Sequence, residues 1–447
     1  MKQTFYLFLA LLAFTINAQE TKQQYSFSLE QAIDYALKYN RTVLNSGRNI
    51  ESAFQKKWET TAAGLPQIAG NISYQNNFSF MQQGVTGGGP FGGSENEIQT
   101  FAFGTKHNMN AALTLSQLLF DGSYIVALQA SKTYLKYYEN AKIKTDLDVK
   151  EMTINAYGNV LLAQESIAIL NKNKVVLDKT LADTKEILKN GLIEEENVEQ
   201  LQITLSSVNS QLNNTTRLLD VTYKMLKITL GLDINDDLTV TDKLENLTQS
   251  NLGSVFTNTE FNIENNINYQ IATNYQQQRE LEYKLQKSKA LPTLGANVNL
   301  GYNSFANEFR FFNQNQKWLN YSNLGVGLSI PIFSSLGRSA KTQQAKIALE
   351  QAKTDLVEAD QKLKLLYASA KSEFEFSIEE YATAKTNLAL AERIEKKNHI
   401  KFTEGISTSF DYTDAQRQLY TAQQKYLQTM VDVINKKAAF EKVINKQ

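Results

Sequence analysis

Along four stretches of this chain hydrophobic and polar residues alternate one by one, and along four others apolar residues return every seventh position. The first pattern belongs to β-strands with one apolar face, the second to helices that wind around neighbours. From Gln67 to Phe80, residues Ile68, Ile72, Tyr74, Phe78 and Phe80 oppose Gln67, Asn71, Ser73, Gln75 and Asn77. Met109, Ala111, Leu113 and Leu115 oppose Asn108, Asn110, Thr114 and Ser116. Further on, Leu294, Ala296, Val298, Leu300 and Tyr302 oppose Thr293, Asn297, Asn299 and Asn303; Leu324, Val326, Leu328, Ile330 and Ile332 then oppose Asn323, Gly325, Gly327 and Ser329. The spacing predicts strands over about 66–80, 106–120, 292–304 and 321–333, with Pro66, Pro292 and Pro331 at strand ends, where a lost N–H costs little. Met81 to Thr105 and Ser304 to Asn320 read as connecting loops.

Such strands suit two settings: half-buried over a soluble core, or tilted through lipid with the polar side toward water. The polar faces carry Asn, Ser, Thr, Gly and Gln with almost no Lys or Glu, and runs of ~10 residues match a tilted crossing, which favours lipid. Four strands cannot close a barrel, and open edges in lipid would leave backbone groups unpaired at several kcal/mol each. The chain is therefore expected to associate. Eight-stranded barrels are filled by their own side chains, so a conducting pore favours three or more chains over two.

Ser123 to Asn190 is 68 residues without Pro and with one interior Gly, and Ser339 to Glu404 is 66 with neither. At 1.5 Å per residue each helix would reach ~100 Å, a length that calls for coiled-coil packing. Leu147, Ile154, Leu161, Ala168, Val175 and Ala182 form the stripe of the first; Tyr367, Phe374, Tyr381 and Leu388 form that of the second, with Leu363, Ala370, Ser377, Ala384 and Ala391 beside it. Shorter returning helices keep the beat with Val198, Leu205, Leu212, Leu219 and Leu226, then Tyr412, Leu419, Tyr426, Val433 and Phe440. Periodicity alone also suits a fibrous rod or a helical bundle. Both long helices, however, begin where a strand ends.

The elements recur in order, which marks an internal duplication. LPQIAGNISYQ from Leu65 answers LPTLGANVNLGY from Leu291, TLSQLLFDGS from Thr114 answers LSIPIFSSLGR from Leu328, and NGLIEEENVEQLQ from Asn190 answers EGISTSFDYTDAQ from Glu404. Pro66 pairs with Pro292, Phe120 with Phe333 and Gly191 with Gly405, at offsets of 226, 213 and 214 residues. The expected organisation is a signal peptide over 1–18, a first repeat over 19–231, a polar linker over 232–260 and a second repeat over 261–447. Lys2, the apolar run from Phe5 to Ile16 and a small residue before Gln19 supply the signal, and the run is too short for a membrane anchor.

There is no cysteine, which removes disulfides, thiol ligands and a lipid-accepting Cys. Forty-six basic and 46 acidic residues cancel, so a nucleic-acid partner is not expected. Catalysis has little to work with. The two histidines are His107, in a predicted membrane strand, and His399, near the end of a long helix and read as a surface residue. No Gly-rich phosphate loop, metal-spaced His cluster or Ser nucleophile elbow occurs, and neither enzymatic activity nor a cofactor or metal is expected.

In the order of its repeats, strand pairs and Gly turns, the whole mature chain resembles the TolC-like family of outer-membrane efflux and secretion channels. SLEQAIDYALKYN from Ser28 is similar to the family's opening helix, with Arg41 where a Pro is usual. The resemblance implies an α+β membrane protein: a homotrimer whose twelve-stranded β-barrel lies in outer-membrane lipid and continues into a long helical coiled-coil tunnel in the periplasm. A belt around the tunnel would draw on Leu232 to Asn268 and on the chain ends. It also implies an exit duct of a tripartite efflux or type I secretion system, with a periplasmic adaptor protein and an inner-membrane pump as partners. A structural coiled-coil envelope protein without transport is the alternative.

In the family the tunnel closes where long and short helices meet, and acidic residues ring that point. Asp411 and Asp414, three apart and so on one helical face, stand where such carboxylates occur. Asp at a helix start also serves as a capping or dipole residue, with Ser407 or Ser409 as cap, and both readings stay open. The adjacent turns contribute Gly191 and Gly405, with Glu194, Glu195, Glu196 and Asn197 in the first copy; Asn197 replaces a carboxylate of some members. Phe402 and Ser407 stand where others have a Tyr and an Arg that tie the gate shut, so that network is not expected here.

Overall fold

The computed structural model describes residues 24–86, 94, 98–252 and 261–445. The expected signal peptide lies outside these residues, as does most of the Gly-rich tip of the first inter-strand connection. The strands are β1 (Gln24–Phe27), β2 (Gln67–Asn76), β3 (Met81–Thr86), β4 (Ile98–Phe103), β5 (His107–Asp121), β6 (Asp237–Val240), β7 (Thr293–Ala306) and β8 (Leu319–Ser329). The helices are α1 (Leu29–Tyr39), α2 (Arg41–Ala62), α3 (Gly122–Lys189), α4 (Glu195–Leu230), α5 (Leu244–Leu252), α6 (Ile267–Ser288), α7 (Gly337–Thr403) and α8 (Ser409–Val443). Two compact units cut across the sequence repeats: Ile50–Tyr137 with Thr273–Asp355 form one, and the remaining described residues form the other.

In the first unit, β2, β5, β7 and β8 make one antiparallel sheet in the order β2-β5-β7-β8. Its register carries the alternation across all four strands. Ile68, Leu115, Val298 and Leu324 form one row, and Ala69, Thr114, Asn299 and Asn323 the next. The polar face is tied laterally: Thr114 Oγ1 donates to Asn299 Oδ1 at 2.8 Å, Asn299 Nδ2 to Asn323 Oδ1 at 2.9 Å and Asn110 Nδ2 to Asn303 Oδ1 at 2.6 Å. The apolar face is bare, with Ile72, Leu324 and Val326 all exposed. Both β2 and β8 are open edges.

Three features depart from the expected strands. Phe78 and Phe80 fall outside β2, because the chain turns after Asn76, with Asn77 donating to Lys106 O and Thr105 O. The expected loop from Met81 to Thr105 instead contains the hairpin β3–β4, with Met81 opposite Phe103 and Thr86 opposite Ile98. Finally, β8 stops at Ser329 rather than running to about 333, since Pro331 has no N–H for the ladder. A bulge between Leu118 and Phe120 returns Phe120 to the apolar face opposite Leu294. It resolves the unbroken Leu118-Leu119-Phe120 run at which alternation fails.

The second unit is a helical assembly with a small parallel pair, β1 against β6. Its core gathers Tyr157, Val160 and Leu161 of α3, Leu226 and Leu230 of α4, Phe374 and Tyr381 of α7, and Val431, Val433 and Phe440 of α8. The seven-residue stripes of α4, α7 and α8 are buried or half-buried throughout. That of α3 is not. Leu147, Ile154 and Leu161 are buried, but Ala168 and Ala182 are exposed and Val175 is 68% exposed. The buried line passes instead to Ala163, Leu170, Leu177 and Thr184. The partners change there, from the large core to a second cluster built with Val198, Leu201, Val208 and Tyr412, and a 3.6-residue helix does not hold a strict seven-residue line against a changing surface.

Candidate functional site: the turns between long and returning helices

Both long helices end on the same stop. Gly191 and Gly405 take φ of 74° and 70°, a left-handed backbone that glycine adopts without a Cβ penalty. Gly191 N–H donates to Leu188 O and Leu192 N–H to Ile187 O; Gly405 N–H donates to Phe402 O and Ile406 N–H to Lys401 O. These paired bonds satisfy the last carbonyls of α3 and α7.

The returning helices start differently. α4 begins after Glu194, whose side chain makes no capping bond, and Glu194, Glu195 and Glu196 are exposed. α8 begins after Thr408 in a reciprocal capping box: Asp411 N–H donates to Thr408 Oγ1 at 3.2 Å, and Thr408 N–H to Asp411 Oδ2 at 3.2 Å. The cap is therefore neither Ser407 nor Ser409. Thr408 holds the extended backbone, φ −80° and ψ 161°, that a cap requires. Asp414 accepts from Arg417 and from Gln418 Nε2, and the Arg417 guanidinium, followed by the Gln418 amide, holds its carboxyl below the usual carboxylate range. Asp411 and Asp414 line one recess together with Asn398, Lys401 and Ser407.

Ser409, freed from capping, reaches the other copy. Its N–H donates to Asn197 Oδ1 at 3.2 Å and its hydroxyl to Gln200 Oε1 at 3.2 Å. Asn197 stands where a carboxylate was expected to be replaced, and it joins the two helix starts of one chain by neutral hydrogen bonds. Phe402 stacks on Tyr412 at 5.3 Å and 11° between ring planes. His399, expected at the surface, is half-buried: its ring lies 5.2 Å from Tyr412, and its Nδ1 is buried. His107, at the start of β5, is buried and shares a 2.9 Å hydrogen bond with Tyr74. Among the described residues no cluster of three His, Asp or Glu side chains is arranged to hold a metal ion, and no helix is long and apolar enough to cross a membrane.

Two positions that sequence reasoning passed over repeat the duplication at side-chain level. Asn40 Nδ2 donates to Thr229 O at 2.6 Å while its Oδ1 accepts from Thr42 N and Val43 N. Asn266 Nδ2 donates to Val443 O at 2.7 Å while its Oδ1 accepts from Asn268 N and Tyr269 N. Each asparagine starts one helix and ends another. Asn40 also explains Arg41, because a side-chain cap does at the first turn of α2 what a Pro at N1 does by fixing φ. The available signal was the 226-residue offset, which joins Asn40 to Asn266 as it joins Pro66 to Pro292.

Residues 263–446 match the family model described as outer membrane efflux protein. Outer membrane protein TolC of Vibrio cholerae serotype O1 is 22% identical over 407 residues, covering 91% of this chain and 88% of the relative. The chain is thus similar to TolC-like outer membrane efflux proteins over most of its length and matches their family model over its second repeat. Its fold is that of solved family channels. CusC superposes with a TM-score of 0.76 at 15% identity, covering 96% of this chain and 95% of that one. The CmeC outer membrane channel of Campylobacter jejuni gives 0.73 at 18% identity, covering 93% and 85%. The matched family model, the Vibrio cholerae relative and the CmeC neighbour are all described as outer membrane proteins.

Proposed function

We propose that this protein is the exit duct of a tripartite efflux or type I secretion system: a homotrimer whose four strands per chain complete a twelve-stranded barrel, and which joins a periplasmic adaptor protein and an inner-membrane pump. One observation carries the reading. A four-stranded sheet with a bare apolar face, a hydrogen-bonded polar face and two open edges is unstable in lipid alone and satisfied on closure with copies of itself. The exposed line of α3 through Ala168, Val175 and Ala182 is further surface for a neighbouring copy. The duct supplies a path and a gate, while its partners supply the free energy. The alternative, a coiled-coil envelope protein without transport, would not require detergent for extraction.

Asp411 and Asp414 from three chains would gather at the narrow periplasmic end and attract cations, Asp411 keeping its capping role as well. Like charges at a constriction raise the local negative potential. In planar-bilayer recordings, Asp411→Ala with Asp414→Ala should weaken block by multivalent cations while trimers still assemble. Unchanged block and selectivity would leave both as helix-start residues. Loss of the Asp411 capping contact should itself cost about 0.5–2 kcal/mol of helix stability, which a thermal melt reads separately.

A further inference from the structure

Four buried polar atoms lie where α7 meets the start of α8: His399 Nδ1 and Ser407 Oγ, which have no hydrogen-bond partner, and Tyr412 Oη and Gln416 Oε1, which face each other with Thr180 and Glu395 beside the hydroxyl. Tyr412 and Gln416 are 0% and 1% exposed. A folded chain ordinarily pairs such atoms, since one left unpaired has lost its water without gaining a partner. Tyr412 is also the point on which four helices converge, with Leu177 and Leu181 of α3, Val198 and Leu201 of α4, and Phe402 of α7 around it. Glu395, half-buried one turn before His399 on α7, faces this hydroxyl.

The charge inventory around Glu395 is short. On its own helix it meets His399; from α8 it meets Tyr412 and Tyr420. Tyr412, through which Glu395 meets the other helices, is itself packed among uncharged groups, Thr180, Leu177 and Leu181 of α3 and Val198 and Leu201 of α4. Burial outweighs His399 and Tyr412 and raises the Glu395 carboxyl above its ordinary value of 4.5. The packed state thus favours the neutral acid. Packing at this point is at full strength below the ordinary value and is lost as pH rises through the raised one.

We propose that Glu395 is a proton-responsive fastener of α8 onto α7: neutral, it fits beside Tyr412, and ionised, it draws in water and loosens the start of α8. Acidification then tightens the Phe402–Tyr412 stack and the helix start that bears Asp411 and Asp414. That this bears on flow rests on the exit-duct reading; its effect on packing does not.

Hydrogen–deuterium exchange of the detergent-solubilised full chain tests the packing, compared at about pH 4, below the ordinary carboxylate value, and at about pH 8, after correction for intrinsic rates. Wild-type amides over 410–416 should be several-fold better protected at the acid value. Glu395→Gln, or Glu395→Met if the first variant assembles poorly, should be protected alike at both. Equal wild-type protection at the two values overturns the proposal, as does a neutral variant that keeps the full pH dependence, which would assign it to His399 or the aspartates. In planar bilayers acidification should lower the conductance of the wild type more than that of the neutral variants. Absence of any channel current would sink the exit-duct reading while leaving the exchange result to decide the fastener.

Discussion

Asn40 and Asn266 show how far the duplication reaches at the scale of single residues. Both are buried, and both use the carbonyl to start one helix and the amide to close the end of another. Replacing either with Ala strands a helix-end carbonyl and two amides, so each substitution should lower stability by about 1–3 kcal/mol, measured as an earlier midpoint of heat-induced gel migration. Equal losses at the two sites are expected from equal geometry; a neutral effect at one would show that its bonds are replaced by water. Tyr157 is a second buried hub, donating to Phe27 O and Asp242 Oδ2 at 3.0 Å each. Burial, the largest influence, raises its hydroxyl from 10.0 to about 12. Its contribution is complete below the ordinary value and lost as pH rises through about 12. Tyr157→Phe should therefore weaken the protein at neutral pH yet flatten its loss of stability in alkali, read from melts across that range. Neither asparagine nor Tyr157 stood out in the sequence, because a capping side chain is recognised by the carbonyl it reaches, and that carbonyl lies far along the chain.

At the scale of elements, the strand faces were legible because a period of two survives any arrangement of neighbours. Charged substitution at Leu113, Val298 or Leu328 should cost ~2–4 kcal/mol near the bilayer midplane. At Asn110 or Asn299 the cost should be nearer the roughly 1 kcal/mol of a lost neutral hydrogen bond. Trimer yield from refolding into detergent and then lipid separates the two sets, and equal behaviour would contradict the assignment of faces. The bulge at Leu118–Phe120 and the hairpin β3–β4 were less legible. A bulge is defined by its partner strand, and a Gly-rich connection gives no periodic signal. In α3 the seven-residue line was correct only to Leu161, since beyond it the helix meets a different set of neighbours.

For the whole molecule, the open edges of β2 and β8 define the decisive measurement: native mass in detergent should give three chains per particle. A stable monomer with a closed barrel would refute the architecture. The two compact units each draw on both repeats, so neither repeat is expected to fold alone. Expression of residues 232–447 by itself should give no protease-resistant core.

The chain's periodicities alone determined the strand faces, the two long helices, their glycine stops and the duplicated order, because each is a local property of backbone conformation and of which residues tolerate water. Tertiary structure decided the rest: that Thr408 rather than a neighbouring serine caps α8, that Ser409 reaches Asn197 and Gln200, and that the His399 ring packs against Tyr412. Each depends on groups that are distant in sequence or on the backbone angle of one residue, and a residue type by itself specifies neither.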